Sequence, residues 1–228
     1  MNRVYERRWL RFAKGGKMKY IGHLDLLRVF QSAIRRAKLP IAYSMGFNPH
    51  QRLSFALPLP VGMDSVCEYT ELLFEKNDLP QEAQLQSLDE HFPEGLRLLS
   101  IHNIPEKAPR PAAAVTAADY RLSFPGSEKA GSHIAALMDT SNITVLKKSK
   151  SGEKETDIRP DIYALGSDLD ALTMRLSAGS ARNLNPMLLA EKIFEMMAIN
   201  PPAHDVTIVR RELYGSKDWR LVPLHEIV

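Results

Sequence analysis

His23 is the residue of this sequence whose type and place best suit proton transfer. A histidine changes its protonation near neutral pH, so it can act as a general acid or base. His23 follows the Gly-rich basic stretch KGGKMKYIG, and Tyr20, Tyr43 or His50 could assist it. The alternative is a structural histidine that hydrogen-bonds to backbone near the start of a helix. We favour the structural role and keep His23 as the only catalytic candidate.

A second set of chemically capable residues lies in YSMGFNPHQRLSFALPLPVG, residues 43–62. Tyr43 and Phe47 offer flat rings on which a nucleic-acid base could stack, while His50 and Arg52 could meet a backbone phosphate. Pro49 restricts the residue before it to extended conformations. Such a surface is typical of proteins that bind single-stranded RNA or a nucleotide. The alternative is that the two rings only seal the end of the core.

A basic helix is predicted just before this stretch. From His23 to Leu39, apolar residues recur at three- and four-residue spacing and predict one buried stripe: Leu24, Leu27, Phe30, Ile34 and Ala37. The other side carries Arg28, Gln31, Ser32 and Arg35, with Asp25 and Arg36 at its edge. This side is either a phosphate-binding surface or an ordinary solvated face. The backbone N–H groups at the helix start, beside Lys17, also suit a phosphate, although neither common phosphate-loop spacing is present.

The charge of the chain is unevenly distributed. The net charge is only +3, but residues 1–60 hold twelve Lys and Arg residues against two acids, and residues 61–100 hold two against nine. A basic block of this kind favours an anionic partner such as RNA. The alternative is that folding mixes the two blocks into a neutral surface.

The order of the predicted elements indicates an α+β fold. Strands are predicted at 5–14, 53–59, 65–75 and 96–104, with helices at 23–39 and from Pro80. This is the βαββαβ order of a ferredoxin-like unit. The order recurs after residue 118, with three strand-like runs between the two helices. We therefore predict two tandem ferredoxin-like halves, 1–105 and 118–215, with a Pro- and Ala-rich linker at 106–117 and a tail at 216–228.

The second half contains one charged alternation. Asp157, Arg159 and Asp161 alternate with Ile158 and Ile162. Such alternation predicts a strand that carries its charged residues on one face. Arg159 would then bridge two acids in a structural role. The alternative is that it contributes to a cleft between the two halves.

Composition narrows the class of protein. Apolar residues make up 44% and charged residues 25% of the 228 residues, as in a folded globular protein. No apolar run reaches the ~18 residues of a membrane span, and MNRVYERRWLRF lacks the apolar core of a secretory signal, so we expect a cytoplasmic protein. The single cysteine, Cys67, is expected in the core and excludes an internal disulfide or a cysteine-ligated cluster. No HxxxH or HExxH spacing predicts a metal site.

Two segments resemble the radical SAM-linked, or radical SAM-associated, protein family: GHLDLLRVFQSAIRRAKLPIAYSMGFNPHQRLSFALPLPVGMDSVCEY and DIRP at 157–160. The resemblance covers essentially the whole chain. Members of that family are fused to, or encoded beside, a radical SAM protein, so the resemblance implies such a protein as partner. It also implies that the iron–sulfur cluster, SAM and any cobalamin belong to that partner and that this chain holds no cofactor. Gly22 stands where many relatives have Ser, which would remove a helix-capping hydroxyl.

We therefore predict a non-catalytic, RNA-binding accessory module that presents RNA, with tRNA and rRNA as candidates, to a separate radical SAM modifying enzyme. The alternatives are a metal-independent RNA endonuclease that uses His23, and an adaptor that binds the radical SAM enzyme without contacting RNA. We predict no binding to membranes or DNA. The candidate RNA- or ligand-binding residues are Lys17, His23, Asp25, Arg28, Arg35, Arg36, Tyr43, Ser44, Phe47, Asn48, His50, Arg52 and Arg159.

Overall fold

The computed structural model describes residues 5–75, 80, 82–149 and 152–228 and shows an α+β chain. Five α-helices and eleven β-strands lie within these residues. The chain folds into two compact units: Met1–Val115 with Tyr214–Val228, and Thr116–Leu213. Within the described part of the chain, no helix is both long and apolar enough to cross a membrane.

The first unit is built on an antiparallel sheet. Its elements up to residue 114 are β1 (Tyr5–Lys14), α1 (His23–Arg36), β2 (Leu53–Phe55), β3 (Asp64–Glu75), α2 (Glu82–Gln86), β4 (Leu96–Ile104) and α3 (Pro111–Ala114). The strands lie in the order β4-β1-β3-β2, and each neighbouring pair is antiparallel. The short strand β2 therefore lies beside β3 and within the stretch 43–62 that the sequence singled out.

The buried stripe of helix α1 confirms the prediction at Phe30 and Ile34, with Leu27 and Ala37 partly buried against the core, but not at Leu24. Its buried residues are Leu26, Phe30, Ala33 and Ile34. These positions form one continuous stripe at i, i+4, i+7 and i+8, whereas Leu24 lies outside it and is 65% exposed. The helix also ends at Arg36 rather than Leu39. Lys38 adopts a φ of 53° and the Leu39 N–H donates to the Ile34 carbonyl at 3.1 Å, an arrangement that closes many helices.

Aromatic packing holds α1 and β2 together. The ring of Phe30 meets the ring of Phe12 edge to face, with 4.9 Å between centroids. It meets the ring of Phe55 in the same way, with 5.1 Å between centroids. Because Phe55 is the last residue of β2, this contact fixes where the preceding loop joins the fold. Cys67 is fully buried in β3, as expected of a core residue.

Residues 106–117, predicted as a linker, make specific contacts with the first unit. Arg7 donates to the carbonyl oxygens of residues 105, 106, 108 and 109 at 2.5–3.2 Å. Arg7 also binds the buried carboxylate of Glu71, with its Nε 2.7 Å from Oε1. Trp9 donates to the same oxygen at 3.1 Å, and Arg110 pairs with the other oxygen. One buried acid thus ties this segment to the sheet.

The second unit combines β-strands with two α-helices. Its elements are β5 (Val115–Ser123), α4 (Gly131–Asp139), β6 (Thr144–Ser149), β7 (Gly152–Asp157), β8 (Ile162–Asp168), β9 (Ala171–Ser177), α5 (Pro186–Met196) and β10 (Thr207–Lys217). The strands lie in the order β10-β5-β9-β8, while β6 and β7 form a separate two-stranded hairpin. The end of β10 pairs with β11 (Arg220–Pro223), which returns the chain to the first unit.

The strand predicted through residues 157–162 is replaced by a turn. β7 ends at Asp157, Arg159–Asp161 form a single 3-10 turn, and β8 begins at Ile162. Pro160 has no N–H to donate to a strand ladder, and the Asp157 carboxylate accepts the N–H groups of Ile143 and Arg159 at 2.9 and 3.0 Å. These two hydrogen bonds hold the pKa of the Asp157 carboxyl below its ordinary value.

Candidate nucleic-acid interface

Residues 44–50 form a closed loop, here named the 44–50 loop, that precedes β2. The Ser44 N–H donates to the His50 carbonyl at 2.8 Å, and the His50 N–H donates to the Ser44 Oγ at 2.9 Å. Gly46 has a φ of 117°, which side-chain-bearing residues rarely adopt, so the turn requires glycine. The loop thereby presents Met45, which is 74% exposed, and Phe47, which is fully exposed.

The base of the 44–50 loop lies on α1. Tyr43 and Gln51 face each other in a short antiparallel bridge. The Gln51 side chain is buried, and its Nε2 donates to the main-chain carbonyl of Gln31 at 3.4 Å and to the Tyr43 hydroxyl at 3.5 Å. Its Oε1 has no hydrogen-bond partner among the described residues. Both hydrogen bonds are long, so this junction is specific but weak.

One face of α1 continues the surface of the loop. Leu24, Arg28, Gln31 and Arg35 follow one another at intervals of four, three and four residues, so they share one side of the helix. Gln31, whose main-chain carbonyl binds the base of the loop, lies between Arg28 and Arg35 on this side. Arg28 is exposed and pairs with Asp25 at 2.7 Å. Arg35 is exposed and makes no contact with another described side chain.

Many basic residues of the N-terminal block are buried or form contacts within the chain. Arg7 and Lys14 are buried. Arg36 donates to the His91 carbonyl, and the Arg52 guanidinium lies over the Tyr5 ring, 4.5 Å from its centroid. Among the candidate cations of this unit, Lys17 and Arg35 remain exposed without such a contact in the described part of the chain. The structure therefore offers fewer cations to a phosphate backbone than the charge count suggested.

His23 is the first residue of α1, and its side chain is exposed. Its ring meets the edge of the Phe55 ring with 5.3 Å between centroids. Within the described residues the imidazole makes no hydrogen bond that would orient it, as a general acid or base usually requires. Gly22 caps the helix without a side chain, and a Cβ there would meet nothing within 4 Å. Serine would therefore fit at that position.

The remaining candidates divide between the two units. Asn48 lies exposed within the 44–50 loop. Arg159 lies in the second unit, where its guanidinium donates to the carbonyl oxygens of Met138, Thr140 and Ile162 at 3.0–3.3 Å. Arg159 thus joins the end of α4 to the start of β8 rather than bridging two acids. Asp161 pairs instead with Arg182 at 2.7 Å.

Sequence reasoning missed two features of this surface. Gln51, which ties the loop to α1, is a neutral amide between His50 and Arg52. No local pattern predicts its contact with Gln31, which is 20 residues away. Leu24 was assigned to the core because its spacing fitted a helical stripe. In the described residues no group of three or more His, Cys, Asp or Glu side chains is arranged to hold a metal ion.

A model of the family described as "Uncharacterized protein conserved in bacteria (DUF2344)" matches residues 7–186. No curated protein matches the chain. The matched range contains α1, the 44–50 loop and the DIRP turn, so the whole candidate interface lies in the part that this family model describes.

Proposed function

The chain belongs to the DUF2344 family of uncharacterized conserved bacterial proteins, and we propose that it is an RNA-binding accessory module. It would present RNA, with tRNA and rRNA as candidates, to a separate radical SAM modifying enzyme. One observation carries the RNA-binding part. A fully exposed aromatic ring, Phe47, stands at the tip of a closed loop whose base is fixed to an exposed helix face.

An exposed ring on a defined loop suits base stacking. Unstacked bases of single-stranded RNA stack on aromatic side chains without strong sequence preference. Phe47 offers both faces of its ring to solvent, and Tyr43 at the base of the loop is 43% exposed. His50 and Asn48 are exposed in the same short segment and would offer polar groups to a nucleotide that stacks on Phe47. The loop therefore offers stacking and polar groups together.

Electrostatics would play the smaller part in this binding. Lys17 and Arg35 are the exposed candidates that form no hydrogen bond or ion pair in the described part of the chain. Arg28 forms an ion pair with Asp25. With about two phosphate contacts, the logarithm of affinity should fall with the logarithm of salt concentration with a slope of about −1.4. A shallow slope of this size distinguishes a stacking surface from a basic groove.

The partner is proposed from the family resemblance. A radical SAM protein would supply the iron–sulfur cluster, SAM and any cobalamin, and this chain would supply the RNA surface in the cytoplasm. We propose no binding to membranes or DNA. We also propose that each unit is a ferredoxin-like half. Residues 5–104 follow the βαββαβ order, and the neighbour order β4-β1-β3-β2 corresponds to β10-β5-β9-β8.

A second candidate function is an adaptor that binds the radical SAM enzyme without contacting RNA. It is favoured by exposed apolar side chains of the interface itself, Leu24 on α1 and Met45 in the 44–50 loop. Exposed apolar side chains favour protein contacts as much as base stacking. The endonuclease alternative depends on His23, whose ring lacks an orienting hydrogen bond within the described chain, so it has the least support.

Fluorescence anisotropy of a labelled single-stranded RNA separates these functions. The RNA-binding proposal expects saturable binding with a shallow salt slope, weaker binding to duplex DNA and intact RNA at the end of the titration. An adaptor would leave the RNA unbound at low salt but bind the radical SAM protein. An endonuclease would shorten the RNA, and His23→Ala would abolish the cleavage.

A further inference from the structure

We propose that the sheet of the second unit binds a small ligand through a phosphate or carboxylate group, in a cavity beside Arg211. The cavity has a volume of about 360 Å³ and is lined by β5, β8, β9 and β10, among others by Asp119, Ala164, Thr173, Arg175 and Arg211. This volume lies at the lower end of the range for small-molecule sites. All of these residues belong to one unit, so the inference is independent of the RNA proposal.

Most of the lining residues lie on the polar face of the sheet, and the buried residues Tyr120 and Met174 complete the lining. Successive side chains of a strand point to opposite faces. In β5, Tyr120 and Leu122 are buried, whereas Asp119 and Arg121 are only partly buried. In β9, Leu172 and Met174 are likewise buried, while Thr173 is exposed. The cavity therefore opens on the side of the sheet that carries charged and hydroxyl groups.

Two arginines of this face already have carboxylate partners. Arg175 pairs with Asp119 through two hydrogen bonds, from Nε to Oδ1 at 2.7 Å and from Nη2 to Oδ2 at 2.8 Å. Arg121 pairs with Asp170 at 2.5 Å. The bidentate pair between Asp119 and Arg175 fixes the plane of the guanidinium and neutralises the carboxylate. Neither pair leaves an excess of negative charge in the cavity.

Arg211 lacks a counter-anion. Its side chain is exposed at the cavity and makes no hydrogen bond or ion pair with another described residue. A guanidinium presents a planar set of donors that matches a phosphate or carboxylate, and it is easier to dehydrate than an ammonium group. The Thr173 hydroxyl lines the same cavity and is a further donor. The cavity thus combines a small volume with one unpaired positive charge, so an anionic group is the chemistry that completes it.

Amide shifts of the ¹⁵N-labelled full chain test this site with three probes: inorganic phosphate, adenosine monophosphate and succinate. Each is titrated at constant ionic strength against chloride. We expect saturable shifts in β5, β8 and β9 with at least one probe. Binding of phosphate or the nucleotide identifies a phosphate ligand, whereas binding of succinate alone identifies a carboxylate.

Substitution of Arg211 decides whether the binding is at the proposed place. Arg211→Gln should weaken the binding at least tenfold, because a charge-assisted contact is lost. Arg97→Gln makes the same change of charge at an exposed position of the first unit and should leave the affinity unchanged. The proposal is overturned if no probe shifts these strands beyond the chloride control, or if folded Arg211→Gln binds as tightly as the wild-type chain.

Discussion

The amide of Gln51 donates a hydrogen bond to the main-chain carbonyl of Gln31 at 3.4 Å, and so fastens the 44–50 loop to the middle of α1. The contact joins two parts of the chain that differ in character. The loop contributes exposed aromatic and polar side chains, and the helix contributes a partly basic face. Because this contact is long and the Gln51 Oε1 has no partner among the described residues, the junction holds the loop in place with little energy.

Loosening this junction should affect binding more than folding. We expect Gln51→Leu to change the free energy of unfolding by less than ~1.5 kcal/mol, since it removes only long hydrogen bonds together with an unsatisfied acceptor. Amide exchange at Ser44 and His50 should accelerate, and RNA affinity should fall several-fold because the loop is less well ordered. Unchanged exchange and affinity would show that the contact does not order the loop.

The ring of Phe47 should contribute to binding without contributing to stability. Phe47→Ala is expected to weaken single-stranded RNA binding by ~1–3 kcal/mol, the usual value of one stacked base. Its fully exposed ring leaves the free energy of unfolding within ~0.5 kcal/mol of wild type. Trp219→Ala is the matched control, because Trp219 is also a fully exposed aromatic residue but lies in the turn between β10 and β11. Equal effects of the two substitutions would argue against a specific stacking site.

Arg35 and Arg36 should behave differently although they are adjacent. Arg35→Glu should lower RNA affinity and make the salt slope shallower by about 0.7 or more, since at least one phosphate contact is lost. Arg36→Glu should reduce stability more than it reduces RNA affinity, because Arg36 donates to the His91 carbonyl. Affinity measured at several salt concentrations, with thermal unfolding of each variant, separates the two effects. Arg97→Glu serves as the charge control, and an equal loss of affinity in that variant would indicate only a general field effect.

Among the acids of the first unit, we expect substitution of Glu71 to lower the free energy of unfolding most. Glu71→Gln leaves the buried Arg7 guanidinium without a counter-charge and should cost about 3–5 kcal/mol of the free energy of unfolding. Glu82→Gln, at an exposed position of α2, should change it by less than ~0.5 kcal/mol. Urea denaturation measures both values. A loss below ~1 kcal/mol for Glu71→Gln would mean that the Arg7–Glu71 pair does not hold the 105–110 segment.

Stability should depend on pH through His102. Burial, then the neighbouring charges of His225 and Arg11, lower the pKa of His102 below its ordinary value of 6.5. The unfolded chain therefore binds this proton at a higher pH than the folded chain. Stability is fully retained above pH ~6.5 and is lost as the pH falls below that value, until the folded histidine is also protonated.

His102→Gln should remove part of this pH dependence, measured as the change in unfolding free energy between about pH 7.5 and about pH 5.5. His102 also forms a hydrogen bond of 2.8 Å with the Ser100 hydroxyl, and its ring lies tilted against the His225 ring with 4.5 Å between centroids. The substitution should therefore cost some stability at every pH. His204→Gln, at an exposed site, is the control. An identical pH profile for wild type and His102→Gln would contradict the assignment.

The order of elements was accessible from the sequence because each element carries its own pattern. The strand around Trp9 largely alternates in burial. Asn185 with Pro186 marks the start of α5, where the Asn185 side chain accepts the Met187 N–H at 3.1 Å. The prediction for α1 was wrong only at Leu24, which fits the same spacing as the core residues Phe30 and Ile34 but is exposed. Only the position of the sheet decides which of two overlapping stripes is buried.

Long-range pairings were beyond the reach of sequence patterns. The partners Glu71 and Arg7 are 64 residues apart, and nothing local indicates that they meet. The contacts of the basic block were equally unpredictable. A count of charges in the sequence does not show that the Arg52 guanidinium lies over the Tyr5 ring. In the second half, Asp157 and Pro160 had the composition of a turn, but the alternation of isoleucines favoured a strand. The capping hydrogen bonds of Asp157 decide between the two.

Ultraviolet crosslinking of the full chain to single-stranded RNA, with mass spectrometry of the peptide adducts, tests the central claim most directly. If the 44–50 loop and α1 form the RNA surface, adducts should concentrate on residues 43–52, with Phe47 or Tyr43 as the modified residue, and Phe47→Ala should remove most of them. Adducts confined to other segments, or their absence at concentrations that saturate binding, would contradict the account.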